Sequence, residues 1–181
     1  RRIEHRVHWH YGPLPDGYGE PKVPLLPSVA IWNDGDTTPE ILTDTTPIIR
    51  RLENDIAGRS VLPGSDGLRF LNDLIEDYAD EWLTKAMFHY RWAHAQDAEH
   101  AAPLLVFHID PMQGAASAVS QAAQFAERQI ERLAFVGSNN ETGAQIETAL
   151  LRFITHLDQI IAENGYLFGP TPFSADFAIM G

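Results

Sequence analysis

From Leu68 onward the apolar residues recur at intervals of three and four, and that spacing commits most of the chain to helix. Leu68, Leu71, Leu74, Ile75, Tyr78 and Trp82 share one face of a helix predicted to run to about Trp92. A looser stretch follows through Pro111, and Gln113 to Phe135 reads as a second, alanine-rich helix. Ser138-Asn-Asn-Glu141 has the form of a capping box, in which the serine oxygen and the glutamate each satisfy a free amide at a helix start. It opens a third helix with Ile146, Leu150, Phe153, Ile154, Leu157 and Ile161 on one face, and Gly165 stops it.

Residues 1–62 are of a different character. Arg6 to His10 alternates like a short strand, and residues 12–24 are rich in Gly and Pro and read as loop. Ser28 to Trp32 is a strand, Asn33-Asp34-Gly35-Asp36 a turn, and Glu40 to Thr43 the return strand of a hairpin. A helix follows with Ile48, Ile49, Leu52 and Ile56 as its apolar stripe, ended by Ala57-Gly58-Arg59. Leu62-Pro63-Gly64-Ser65 is a linker, so the predicted organisation is an α/β unit over 1–62 and a helical unit over 65–181. Arg1 enters mid-pattern and SADFAIMG begins a helix without finishing it, so the chain reads as part of a longer one.

Composition narrows the function. The 181 residues carry a formal charge of −12, which disfavours duplex nucleic acid and anionic membranes as partners. There is no cysteine, hence no disulfide, no thiolate metal site and no cysteine nucleophile in these residues; a reducing, cytoplasmic setting fits. No segment approaches the ~18 consecutive apolar residues of a membrane span. RRIEHRVHWH is not a signal peptide, because no apolar core follows its charges.

Two short stretches carry candidate chemistry. In TDTTPIIRRLE, Thr43 to Glu53, Thr45 or Thr46 is placed to cap a helix whose first turn holds Pro47. Free amides at a helix start attract a carboxylate, whereas Asp44 beside them attracts an ammonium. A ligand with both groups on one carbon, the end of an α-amino acid, satisfies both; an ordinary capped helix with an acid near its N-terminus accounts for the same residues. In LLPSVAIW, Pro27 stands directly before a strand, where its missing amide removes a ladder donor. A cis peptide there turns the backbone of Leu26 outward to bind something extended; a trans proline ending a loop is the other reading.

Together these stretches resemble the glutathione transferase superfamily. Its order is a cis proline before the third strand of a thioredoxin-like domain, an acid and a hydroxyl residue at the next helix start, a linker with proline, then helices. LLPSVAIWNDG followed by ILTDTTPIIRRLE has that order. GYLFGPTPFSADFAIMG is similar to a segment of the family's helical domain, and LIEDYADEWLTKAMFHYRWAH looks like a bacterial branch of it. The resemblance covers nearly the whole chain and implies an α+β fold: an incomplete thioredoxin-like domain, then an all-α domain.

By the resemblance, Asp44 and Thr45 hold the γ-glutamyl end of glutathione with Thr46 beside them, and Leu26 offers its backbone to the cysteinyl part next to cis-Pro27. The implied activity is attack of the glutathione thiolate on a small electrophile, by conjugation or reduction, in a homodimer, with glutathione as co-substrate and no metal. The electrophile would lie against the long first helix of the bundle, where Tyr78, Trp82, His89 and Trp92 are candidate walls and Arg91 a candidate cation; core packing is the preferred reading of the aromatics, because aromatics at helical spacing are usually core. The family's activating residue stands at the first strand–helix junction, and RRIEHRVHWH corresponds to the end of that first helix and the second strand, so no catalytic residue is assigned. The family's capping serine has Phe173 in its place, with Ser174 one later and Asp176 left to anchor the helix start. A non-catalytic glutathione-binding or protein-binding scaffold of the same fold is the alternative function.

Three other groupings have simple readings. His8-Trp9-His10, with His5 near, is a surface strand and lacks further metal ligands. Glu76, Asp77, Asp80 and Glu81 form a solvated face with Glu81 paired to Lys85, although one of them can be buried instead. His89, Arg91, His94 and His100 follow Met87, and of these Arg91 stands out as a cation for an anionic ligand.

Overall fold

The computed structural model describes residues 3–8, 16–23, 25–109 and 114–180. It is predominantly helical, with one two-stranded antiparallel sheet, and divides into two compact units, Arg1–Leu62 and Pro63–Gly181. Among the described residues no helix is long and apolar enough to cross a membrane. Trp9, His10, Pro111 and Gln113, and much of the loop expected at 12–24, lie outside the described residues.

In the first unit, β1 (Ser28–Ile31) pairs with β2 (Glu40–Thr43), Ser28 opposite Thr43 and Ile31 opposite Glu40. The predicted turn is held by its own side chains. Asp36 Oδ2 accepts from the Asn33 side-chain amide at 2.9 Å and from its backbone N–H at 3.3 Å, while Gly35 adopts φ 90°, a conformation that glycine enters without a Cβ penalty. Helix α1 (Thr45–Asp55) follows β2 at once and buries Ile48. Arg51 of α1 pairs with Glu40 of β2 and with Asp55 one turn on; these carboxylates, Glu40 foremost, push the guanidinium's pKa further up from its ordinary value.

The second unit begins with Ser65, whose hydroxyl accepts from the Leu68 N–H at the start of α2 (Asp66–Tyr78). A π-helical stretch, Ala79–Leu83, joins α2 to α3 (Thr84–Trp92), so the helix reaches Trp92 as predicted but with an altered phase. The apolar stripe of this helix is half-exposed: Leu71 is 44%, Leu74 52% and Trp82 59% exposed. The buried side of α2 is polar instead, with Asn72 at 0% and Glu76 at 7%. Asn72 Nδ2 donates to Ser174 Oγ at 2.7 Å, Ser174 donates to Glu76, and Asn72 Oδ1 accepts from the Ala175 N–H at 3.1 Å. This network fastens α2 to the start of α7 (Ser174–Met180); Glu76 leaves the solvated face expected for the four acids and is the one buried, the alternative the sequence allowed. Lys85 likewise lies over the Trp82 ring, 4.0 Å from its centroid.

The stretch expected to be loose is α4 (Ala95–Ile109), with Pro103 inside it. Proline removes one backbone bond, but Ala98, Ala102 and Val106, spaced by four, are buried, and packing outweighs the local preference. Helix α5 (Ala115–Glu131) packs on α4, contributing buried Ala118 and Ala122, and continues as a 3-10 turn, Arg132–Val136. Trp92, Ala98, Ala102 and Ala122 form the core cluster, with Phe88, Leu105, Phe125 and Leu133 around it.

Helix α6 (Gly143–Asn164) starts later than the capping box predicts. Asn139 Oδ1 takes the N–H groups of Glu141 and Thr142, and Thr142 Oγ1 bridges the Asn139 N–H and the Gly137 carbonyl. Ser138 is unavailable to the helix because its hydroxyl lies 2.7 Å from His89 Nδ1. At the far end Gly165 donates to the Ile161 carbonyl at 2.8 Å, as its position predicts. Asp176 accepts from the Phe173 N–H at 2.8 Å and the Leu167 N–H at 2.9 Å, so half of the box survives without the capping serine. Asp176→Ala is expected to cost about 2 kcal/mol, measured by thermal unfolding, because two charge-assisted bonds to backbone are lost.

Candidate functional site

The hairpin and the helix after it bring the five sequence-predicted binding residues, Leu26, Pro27, Asp44, Thr45 and Thr46, to one place. The Leu26–Pro27 peptide is cis, immediately before β1. Because Ser28 pairs with Thr43, the residues flanking that pair meet: the Asp44 N–H donates to the Pro27 carbonyl at 3.1 Å. Leu26 is 81% exposed, and among the described residues its backbone N–H and carbonyl make no hydrogen bond.

Asp44, and neither threonine, occupies the N-cap of α1, correcting the expected cap by one or two positions. Its backbone lies at φ 78°, ψ 145°, and it is the one described non-glycine residue with positive φ. For a residue with a Cβ this conformation costs about 1–3 kcal/mol and persists only where surrounding bonds enforce it. Here the Pro27 carbonyl holds its amide, and its own carbonyl accepts from the Ile48 N–H at 3.4 Å. The side chain makes no cap bond to the helix, so the carboxylate stands exposed beside the first-turn amides, with the Thr45 hydroxyl 3.4 Å from Oδ1. Thr46 follows on the first turn, half-buried, and Pro47 contributes no donor. An anion-attracting helix end and an exposed anionic side chain are thus adjacent, the pairing that a zwitterion matches.

The residues proposed to wall an electrophile site do not form one surface. Tyr78 is 38% and Trp82 59% exposed, whereas His89 and Trp92 are each 3% exposed. Tyr78 stacks at a tilt with Phe153 of α6, ring centroids 5.6 Å apart. Trp92 is part of the core, edge-on to Phe125 at 5.8 Å, and presents no face to a ligand. Arg91 is half-buried on α3. His89 instead lines a cavity of about 350 Å³ in the helical unit, together with His94, Ser138, Asn139, Gly143 and Glu147. Sequence reading missed this grouping because Glu147 stands 58 positions after His89 and nothing local connects them.

Comparison of the chain with protein-family models, with curated proteins and with solved structures found no match.

Proposed function

We propose that this chain is a glutathione transferase-like protein that binds glutathione at the junction of the hairpin with α1. The observation that carries the reading is the backbone of Asp44, held in an unfavourable conformation that aims an uncapped carboxylate beside the amides of the helix's first turn. In this reading, the first unit is an incomplete thioredoxin-like domain. Asp44 takes the ammonium of the γ-glutamyl group, and the amide and hydroxyl of Thr45, with Thr46 beside it, take the carboxylate. The exposed backbone of Leu26 pairs with the cysteinyl part next to Pro27. Glutathione supplies the thiol. Deprotonated, its sulfur forms the new bond to an electrophilic carbon while the leaving group departs with the electron pair, and the protein contributes by holding the sulfur in place.

Calorimetric titration of glutathione into the protein, beside Asp44→Ala and Thr45→Ala variants, tests the binding. Expected is a saturable isotherm that weakens at least about tenfold in each variant, since each removes a charged or charge-assisted contact. Asp44→Gly is the sharper control. It relieves the positive φ, so stability is expected to hold or rise while affinity falls as in Asp44→Ala. No heat at millimolar glutathione removes the ligand from the account. Binding without turnover of a chlorinated aromatic substrate leaves a glutathione-binding scaffold.

A further inference from the structure

We propose that His89, His94 and Glu147 form a binding site for a divalent transition-metal ion of the zinc type in the helical unit, independent of the glutathione reading. Two helices supply it: His89 comes from α3, with His94 just beyond its end, and Glu147 from the second turn of α6. Their ligand atoms all lie within 4.8 Å of one another. Glu147 Oε1 is 3.4 Å from His89 Nε2 and 3.3 Å from His94 Nε2. Charge-assisted hydrogen bonds between such groups are typically about 2.7–2.9 Å, so these separations are long for direct pairing. They match the edge of a tetrahedron around an ion with ligands at about 2.0–2.1 Å, which is roughly 3.3 Å.

The chemistry of the surroundings agrees. A metal on His89 Nε2 needs the ring proton on Nδ1, and Ser138 Oγ, itself 5% exposed, lies 2.7 Å from that nitrogen to accept it. An outer group that fixes tautomer and ring orientation is the usual companion of a metal-ligating histidine. The ring is also confined: a Cβ on Gly143 would come within 3.3 Å of His89 Cε1. That buried, oriented imidazole is the anchor, while His94 and Glu147 have side chains 46% and 38% exposed, leaving a way in from solvent. Two imidazoles and a carboxylate suit zinc and its neighbours better than calcium or magnesium, which prefer all-oxygen shells. Three protein ligands leave a fourth position, facing the cavity of about 350 Å³, for water or a small ligand; that is the pattern of catalytic zinc sites rather than structural ones.

Zinc is titrated into the untagged, metal-stripped chain against a chromogenic chelator, and cobalt(II) uptake is followed in the visible. Expected are one zinc per chain with micromolar or tighter Kd and intense d–d bands from low-coordinate cobalt. His94→Ala/Glu147→Gln, both at half-exposed positions, is expected to weaken binding at least ~100-fold with helical content unchanged, and Ser138→Ala by about tenfold. His5→Gln/His8→Gln leaves binding intact. Two results overturn the site: no zinc taken up below about 100 μM, or equal affinity in the His94/Glu147 variant, which would leave the cluster as a hydrogen-bonded His–Glu–His group.

Discussion

Trp92→Ala is expected to destabilise the helical unit by about 3–5 kcal/mol, lowering its melting temperature by roughly 10–20 °C. Trp92 is 3% exposed and belongs to a core cluster drawn from three helices: its ring lies against those of Phe88 on its own helix and Phe125 on α5, and the cluster includes Ala98 and Ala102 of α4 and Ala122 of α5. Truncation removes the indole's transfer free energy and leaves a cavity that close-packed alanines cannot collapse to fill. Trp82→Ala is the matched comparison. That indole is 59% exposed with Lys85 over its face, so its loss costs no more than about 1 kcal/mol. Thermal unfolding followed by far-UV circular dichroism separates the two. Similar costs for both would show that Trp92 is not the centre of this core.

Asn72→Ala is the second large effect, at about 3 kcal/mol. The side-chain amide is wholly buried, and its orientation follows from its partners: the oxygen faces the Ala175 N–H and the nitrogen faces Ser174 Oγ. Removing it strands a buried backbone donor and deprives Ser174 of a donor while that hydroxyl still serves Glu76. Each unsatisfied group costs about 1–3 kcal/mol. Asn72→Asp is expected to do at least as much harm, because it replaces the donor to Ser174 with a second carboxylate near Glu76. The reading is wrong if chemical denaturation gives either variant a loss below about 1 kcal/mol. Ser174→Ala completes a cycle with Asn72→Ala, and the two losses are expected to be less than additive because they share one network.

The features legible in the chain's own pattern are local: the hairpin between Ser28 and Thr43, a helix start within two positions of its expected cap, and the stop at Gly165 rest on residues close in sequence. The cis peptide at Leu26–Pro27, which the residues alone leave open, and the anchor at Asp176 are expected from the family resemblance. Their geometry is set by turn chemistry, caps and backbone sterics, which act over one or two turns of chain. The bundle's interior was not legible in this way. Periodicity places Leu71, Leu74 and Trp82 on one stripe, yet it carries no sign that tertiary contacts bury Asn72 and Glu76 instead. It missed α4 because Pro103 disfavours helix locally, and only packing on α5 offsets that preference. Ser138 was read as a helix cap from its spacing to Glu141, but an imidazole 49 positions earlier takes the hydroxyl. The junction of Pro27, Asp44 and Thr45 could be inferred from sequence because strand pairing forces those residues together. The meeting of His89, His94 and Glu147 could not, since it depends on how α3 and α6 pack, and the spacing of residues along one helix carries no record of its neighbour.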